Sequence, residues 1–414
     1  MQNAGTKIIV LLIVALVLGI GGTELYKHRH FEETIVAGPG VTEVKKLSDW
    51  YAPFEGTMMD STVFILEGAE PGGTALFFGG THPCEIAGVM AAVILVENAE
   101  VSAGKIIVIP HSNRSGSTGT MPSGGWPLYY DINDEAGNPR VFRMGDRNTH
   151  PLDSWPDPDI FVHYPSGQQL SYVEARNLNR CFPGNPNGFP TEQVGHAISE
   201  IIRQENVKIV FDMHEAELLY PVTNCIVAPT FNDSFVYATW ASLMLGEKFD
   251  IHVEPSPGSY RGFSHRELGD PETGALGVLE VDERGKPLGS IYTFLLEAPQ
   301  PFLDQPTGPK TVALLLDGKD EFLDDLSKRE KLYVDYNKED GKTMNLRVGR
   351  HIETTFAIFD EYTYGNIDSN PYETQIIYTC PAYDEIMANG LEAYLKDPSQ
   401  YPGRVYSDLA GKQK

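Results

Sequence analysis

Apolar residues along this chain fall into short unbroken runs more often than into strict alternation. Thr62–Leu66, Ala75–Phe78, Lys105–Ile109, Val207–Met213 and Ile291–Leu296 each read as such a run, and Glu70-Pro71-Gly72-Gly73 marks a turn between the first two. Runs of this length bounded by Gly, Pro or polar residues predict strands covered on both faces, as in a parallel sheet. A further strand is predicted over Leu276–Val281. Between the runs the spacing changes to that of helices. One is predicted from about Glu85 to Glu97 and another from Thr191, where Val194, Ile198, Ile201 and Ile202 share a face; two more are predicted near 309–327 and 345–362. Strands alternating with helices predict an α/β fold, a mostly parallel or mixed sheet with helices on both faces, over residues 31–414 as one domain.

Two stretches break this rhythm. Lys7 precedes the apolar run Ile8–Leu18, which fades through Gly19-Ile20-Gly21-Gly22. Residues 1–30 therefore read as an export signal or a membrane anchor. The short apolar core and small residues suit cleavage, whereas a span needs roughly 17–25 residues. Either way the rest of the chain is expected to be exported, periplasmic or extracellular, and held at the membrane if the segment is retained. Residues 111–190 are rich in Gly, Pro, Asn and Asp, with Trp126, Tyr129, Tyr130, Trp155 and Tyr164 among them. So long a stretch without periodicity predicts loops that shape a substrate pocket, or short elements that pattern does not reveal.

With 57 acidic against 32 basic residues, the formal charge of -25 opposes binding to a phosphate backbone, so no nucleic-acid partner is expected. Four cysteines, Cys84, Cys181, Cys225 and Cys380, are too few for a disulfide scaffold. Cys84 and Cys181 both adjoin segments of chemical interest, which raises a bridge between them as an expectation.

The chemistry concentrates at His82-Pro83-Cys84-Glu85, directly behind the predicted strand Ala75–Phe78 and the Gly79-Gly80 turn. An imidazole and a carboxylate three residues apart at a strand-to-helix turn can reach one cation from a single rigid element. The run Val207–Met213 delivers His214 at its carboxyl end. Two His and one Glu leave a fourth position free, the ligand pattern of a catalytic Zn2+. Asp212 reads equally as a residue that orients a ligand or as a strand-end cap. His111 reads as a pocket or structural residue, and the remaining histidines as incidental.

Taken with Leu178-Asn179-Arg180 followed by Phe182-Pro183-Gly184, with Asp212-x-His214, and with Leu296-Glu297 after a strand, the motif Gly79-Gly80-Thr81-His82-x-x-Glu85 resembles the succinylglutamate desuccinylase/aspartoacylase family, relatives of the zinc carboxypeptidases. The resemblance covers scattered parts of residues 73–300. It implies a zinc carboxypeptidase-like fold, zinc held by His82, Glu85 and His214, a substrate carboxylate held by Asn179 and Arg180, and Glu297 as catalytic base. An arginine is further expected to stabilise the tetrahedral oxyanion, with Arg147 and Arg176 as candidates. The chain departs from the family at Pro83-Cys84, at Asn177 and at Ala298-Pro299 after Glu297, positions that bear on the substrate more than on the metal. The expected activity is hydrolysis of an amide in a carboxylate-bearing small molecule or short peptide, most simply an N-acyl amino acid. A carboxypeptidase acting on short or cell-wall peptides and a non-catalytic peptide or amino-acid receptor are the rival readings.

Overall fold

The central strands are apolar on both sides because helices cover both sides. In the computed structural model, which describes residues 4–119, 127–281, 289–303, 305–366 and 369–407, a nine-stranded sheet forms the middle layer. Trp126 lies outside the described residues. The strands are β1 (Glu43–Lys46), β2 (Thr62–Glu67), β3 (Glu70–Gly79), β4 (Glu100–Ile109), β5 (Val207–Glu217), β6 (Cys225–Ala228), β7 (His252–Pro255), β8 (Tyr292–Gln300) and β9 (Ile377–Thr379). Their order is β7-β6-β8-β5-β3-β4-β2-β1, with β9 pairing to β4. The middle four, β8, β5, β3 and β4, are parallel. Towards the edges β6 runs antiparallel to β8, and β2 antiparallel to β4.

Helices α1 (Ala4–Arg29), α2 (Ile86–Asn98), α3 (Pro190–Gln204), α4 (Ser234–Phe249) and α5 (Met344–Gly365) carry most of the helical content. One face of the sheet offers Phe77, Phe211, Phe294 and Val108 to α2, α4 and α5. The other offers Leu76, Phe78, Ile107 and Val210 to Val194, Ala197, Ile198, Ile201 and Ile202 of α3. Alternation along each strand thus feeds two cores from one apolar run. The expected mixed sheet with helices on both faces is what forms.

Helix α2 approaches the sheet unusually closely. A Cβ on Gly88 would stand 2.1 Å from the Met213 carbonyl oxygen, and one on Gly79 would stand 2.4 Å from that of Gly88. Two glycines therefore set the depth at which the first turn of α2 sits over the ends of β3 and β5, and that depth places the residues just before the helix.

Several expectations need correction. Leu276–Val281 is a loop and not a strand, with Val278 83% exposed; its apolar side chains have no sheet to cover. The helix expected near 309–327 is two, Val312–Asp317 and Glu321–Lys328, because Gly318 ends the first in the left-handed conformation (φ 65°). Residues 111–190, in line with the second of the two readings given above, hold short elements among their described residues, including the antiparallel pairs Tyr129–Asn133 with Pro139–Arg143 and Phe161–Val162 with Gln169–Leu170. No disulfide joins Cys84 to Cys181, so the expected bridge does not form. At the N-terminus, α1 runs as one helix from Ala4 to Arg29, long and apolar enough to cross a membrane, in keeping with a signal or an anchor. Its last turn docks on the domain, where His28 Nε2 is 3.0 Å from the Gly119 carbonyl and Arg29 pairs with Asp153 at 2.6 Å.

Gly88→Ala is expected to lower the unfolding free energy by about 1–3 kcal/mol, the usual cost of forcing atoms into a filled contact. Denaturant titration of the purified domain checks it; an unchanged midpoint would remove the close approach as a constraint.

Candidate functional site

β3 ends at Gly79, and Gly80, at φ 68°, turns the chain out of the sheet so that Thr81–Glu85 runs across its carboxyl end into α2. β5 lies beside β3 in parallel register, with Met213 opposite Gly79. His214 therefore emerges at the same edge as His82 and Glu85. Successive strand residues alternate faces, so Asp212 and His214 point to the side opposite Phe211 and Met213.

The two imidazoles meet on the Glu85 carboxylate. His82 Nδ1 lies 2.7 Å from Glu85 Oε1, and His214 Nδ1 lies 2.7 Å from Glu85 Oε2. All three residues are buried, and one ligand atom from each lies within 4.8 Å of the others. The outward nitrogens each face an oxygen: His82 Nε2 is 2.9 Å from Asn177 Oδ1 in hydrogen-bond geometry, and His214 Nε2 is 2.9 Å from Asp212 Oδ2 without it. A neutral imidazole carries one N–H. With that proton on His82 Nε2 and held by Asn177, the Nδ1 lone pair faces the Glu85 carboxylate, an arrangement that calls for a cation between them. Burial and the Arg147 charge push His82 down to about 4, keeping it neutral. For His214 burial acts in the same direction but is outweighed by Asp212 and Glu85, which hold its pKa well above the usual value. Burial opposes ionisation of Glu85, yet the two imidazoles bring it well below the carboxylate range. The donor chemistry fits a zinc ion on His82 Nδ1, His214 Nδ1 and Glu85, with Asn177 steadying the far nitrogen of His82 and Asp212 lying beside that of His214.

Asp212 is therefore more than a strand-end cap. It is fully buried, accepts the Thr81 hydroxyl hydrogen bond at 2.8 Å and that of Ser264, and touches His214. A second clamp holds Glu85. Its Oε2 accepts the backbone N–H of Glu215 at 3.1 Å, while Glu215 Oε2 accepts the backbone N–H of Ala87 at 2.8 Å. Arg347 of α5, completely buried, neutralises Glu215. Neither Glu215 nor Arg347 stood out in the sequence, because each lies inside an element whose pattern already explained it.

His82, Glu85 and Glu215 line a cavity of about 890 Å³ that also takes in Arg147, Asn179, Arg180 and Glu297, with His214 buried behind them. Parallel pairing of β5 with β8 sets Glu297 opposite His214. Its Oε2 is buried without a hydrogen-bond partner among the described residues. Burial pushes its carboxyl well above the usual range, reinforced by Glu85 and Glu217 and countered in part by His214 and Arg147. Arg180 lies over the Phe263 ring at 4.2 Å, and its pKa is lowered by burial. Asn179 Oδ1 accepts the backbone N–H of Ser264 at 3.1 Å, so it holds that turn as well as lining the cavity. Arg147 Nη1 is 3.6 Å from Glu85 Oε1. Arg176 is not among the lining residues; it pairs with Asp157 at 3.0 Å, so of the two arginines only Arg147 stands by the cluster. His111 is structural, with Nε2 3.2 Å from Glu33 and Nδ1 3.2 Å from Ser117 Oγ. His265, read above as incidental, lines the cavity. Its place in a loop with no periodicity gave no signal.

His214→Ala is expected to abolish stoichiometric zinc binding, read by metal analysis of dialysed protein. Asp212→Asn should retain the metal with affinity weaker by roughly 10–100-fold.

No protein-family model matches the sequence, and no curated protein matches it. Among solved structures, a variant of the cell shape determinant protein Csd4 from Helicobacter pylori aligns with 79% of this chain and 59% of its own, at 11% identity and a TM-score of 0.40. A succinylglutamate desuccinylase/aspartoacylase from Rhodobacter sphaeroides aligns with 47% of this chain and 50% of its own, at 18% identity and a TM-score of 0.29. An aspartoacylase family protein from Mesorhizobium loti aligns with 58% and 56%, at 17% identity and a TM-score of 0.31. The chain thus spans between half and three-fifths of the length of these structures. Two of the three carry the name of the family that the sequence motifs resemble.

Proposed function

We propose that this protein is a zinc-dependent hydrolase that cleaves the amide bond of a carboxylate-bearing substrate such as an N-acyl amino acid. The observation that carries the reading is one cavity lined by His82 and Glu85 of the His82–Glu85–His214 cluster, by Arg180, and by Glu297, whose buried Oε2 has no hydrogen-bond partner among the described residues. Zinc, when bound, supplies a Lewis acid that polarises a carbonyl and makes water more acidic.

The chain's own residues do the rest. Arg180, fixed against Phe263, presents a planar fork that grips a carboxylate through two parallel hydrogen bonds and so fixes the position of the neighbouring amide. Asn179 and its partner turn hold that end of the cavity in place. Glu297 accepts the proton of the attacking water on Oε2. Its raised pKa makes it a stronger proton acceptor than an ordinary carboxylate, and once protonated it hands that proton to the leaving amine. Arg147, partly exposed beside Glu85, offers N–H donors to the oxyanion. The apolar helix α1, docked through His28 and Arg29, supports attachment of this domain to a membrane.

The cavity volume favours a second reading. At about 890 Å³ it has room for more than an acylated amino acid, which suits a carboxypeptidase acting on short peptides. Assays of N-acyl amino acids against peptides with a free C-terminus separate the two.

Glu297→Gln is expected to retain zinc and fold while lowering kcat by roughly 10²–10⁴-fold, as when a general base is removed. Near-normal turnover would release Glu297 from its role. Arg180→Lys is expected to raise KM with a smaller change in kcat, since Lys keeps the charge but loses the fork; steady-state kinetics on a carboxylate substrate check it.

A further inference from the structure

His265 sits in the short helix Ser264–Glu267, on the turn that also supplies Phe263 to Arg180 and Ser264 to Asp212. It is 3% exposed, and neither Nδ1 nor Nε2 has a hydrogen-bond partner among the described residues. A buried polar group left unbonded is destabilising, and here two such atoms belong to one ring. The ring is not free to swing away. Its backbone carbonyl accepts the Thr293 hydroxyl hydrogen bond at 2.6 Å, the preceding residue is held by Asn179 and Asp212, and its face lies 5.0 Å from the Phe263 ring. The backbone here is fixed from several directions around a ring without a hydrogen-bond partner among the described residues. His265 lines the same cavity as Arg180, His82 and Glu85.

We infer that His265 is a specificity-determining residue that hydrogen-bonds an uncharged polar group of the substrate, a hydroxyl or amide, lying between the carboxylate held by Arg180 and the bond that is cleaved. The inference rests on the hydrolase reading for the substrate's orientation. Burial and the neighbouring charges of His214, Arg180 and Arg266 push the imidazole pKa down to about 3, so the ring stays neutral and offers one donor and one acceptor. Arg180 and Arg266 also disfavour a positively charged substrate group at this point. An apolar group there would leave both nitrogens unsatisfied, which is the condition under which a site rejects an analogue lacking the polar group.

The test compares N-acetyl-L-asparagine with N-acetyl-L-leucine in the full-length zinc-loaded protein, by calorimetric binding and by steady-state kinetics. Wild-type protein is expected to prefer the asparagine compound. His265→Leu should reduce that preference by roughly 10-fold or more, acting on Kd and KM, with zinc content and melting temperature retained. His265→Gln, which keeps a donor and an acceptor, should restore most of it. A preference unchanged in His265→Leu overturns the inference, as does loss that tracks zinc release or unfolding in both variants, which would make the ring structural. Failure of wild-type protein to hydrolyse either compound would count against the hydrolase reading, while the binding preference would still judge His265.

Discussion

The site depends on a carboxylate that touches no solvent. Asp212, buried in the middle of β5, receives the hydroxyl of Thr81 from the turn after β3, receives the hydroxyl of Ser264 from the short helix Ser264–Glu267, and lies against His214 on its own strand. Three stretches distant in sequence are thereby tied to one charge. Such a charge is tolerated only when its lone pairs are satisfied, and removing one partner from a buried ionic network costs several kcal/mol because the rest is left uncompensated. That penalty is what makes the arrangement specific: conformations in which any of the three segments drifts leave Asp212 exposed to its own desolvation cost. Glu85 is held in the same manner by Glu215 and Arg347, so the cluster is braced from both faces of the sheet.

Strand register does the remaining positioning. Because β5 and β8 are parallel and paired from Ile209 with Tyr292 to Glu217 with Gln300, His214 and Glu297 stand side by side on one face. A slip by one residue would turn Glu297 towards α5 and bring Leu296 to the cavity. The apolar partners on the other face, Phe211 and Phe294 stacked at 5.5 Å, oppose that slip. The packing of the core and the placing of the base are thus one constraint seen from two sides of the sheet. This is why the proposed base can carry an unbonded oxygen without being drawn elsewhere.

What was legible in the sequence follows from these physics. β3, β4, β5 and β8 are covered on both faces, so continuous apolar runs announced them, and with them the edge at which His82, Glu85, His214 and Glu297 gather. The edge strands β1, β6, β7 and β9 were not announced. They are three or four residues long, and in so short a stretch local pattern does not separate strand from loop. Leu276–Val281 misled in the opposite direction, being apolar without being covered. Arg176 and Arg147 could not be told apart by spacing, since what separates them is a partner: Asp157 takes the first and the cavity receives the second. His265 was invisible because its significance lies in contacts it lacks, and a sequence displays no such thing.

The charge of the whole protein bears on how a carboxylate substrate reaches this cavity. A net -25 repels an anion at long range, and the cavity adds Glu174, Glu217 and Glu254 to its own lining. Screening confines such repulsion to about 8 Å at physiological ionic strength. Within that distance Arg180 and Arg147, both lining the cavity, supply the positive charge that a carboxylate would meet. Recognition of the carboxylate is therefore a matter of short-range, geometrically matched hydrogen bonds and not of steering. Affinity for such a substrate gains little from lowering the salt concentration, and selectivity falls to the fixed groups that touch it: the guanidinium on its aromatic platform at one end, and the neutral ring of His265 between that end and the reacting bond.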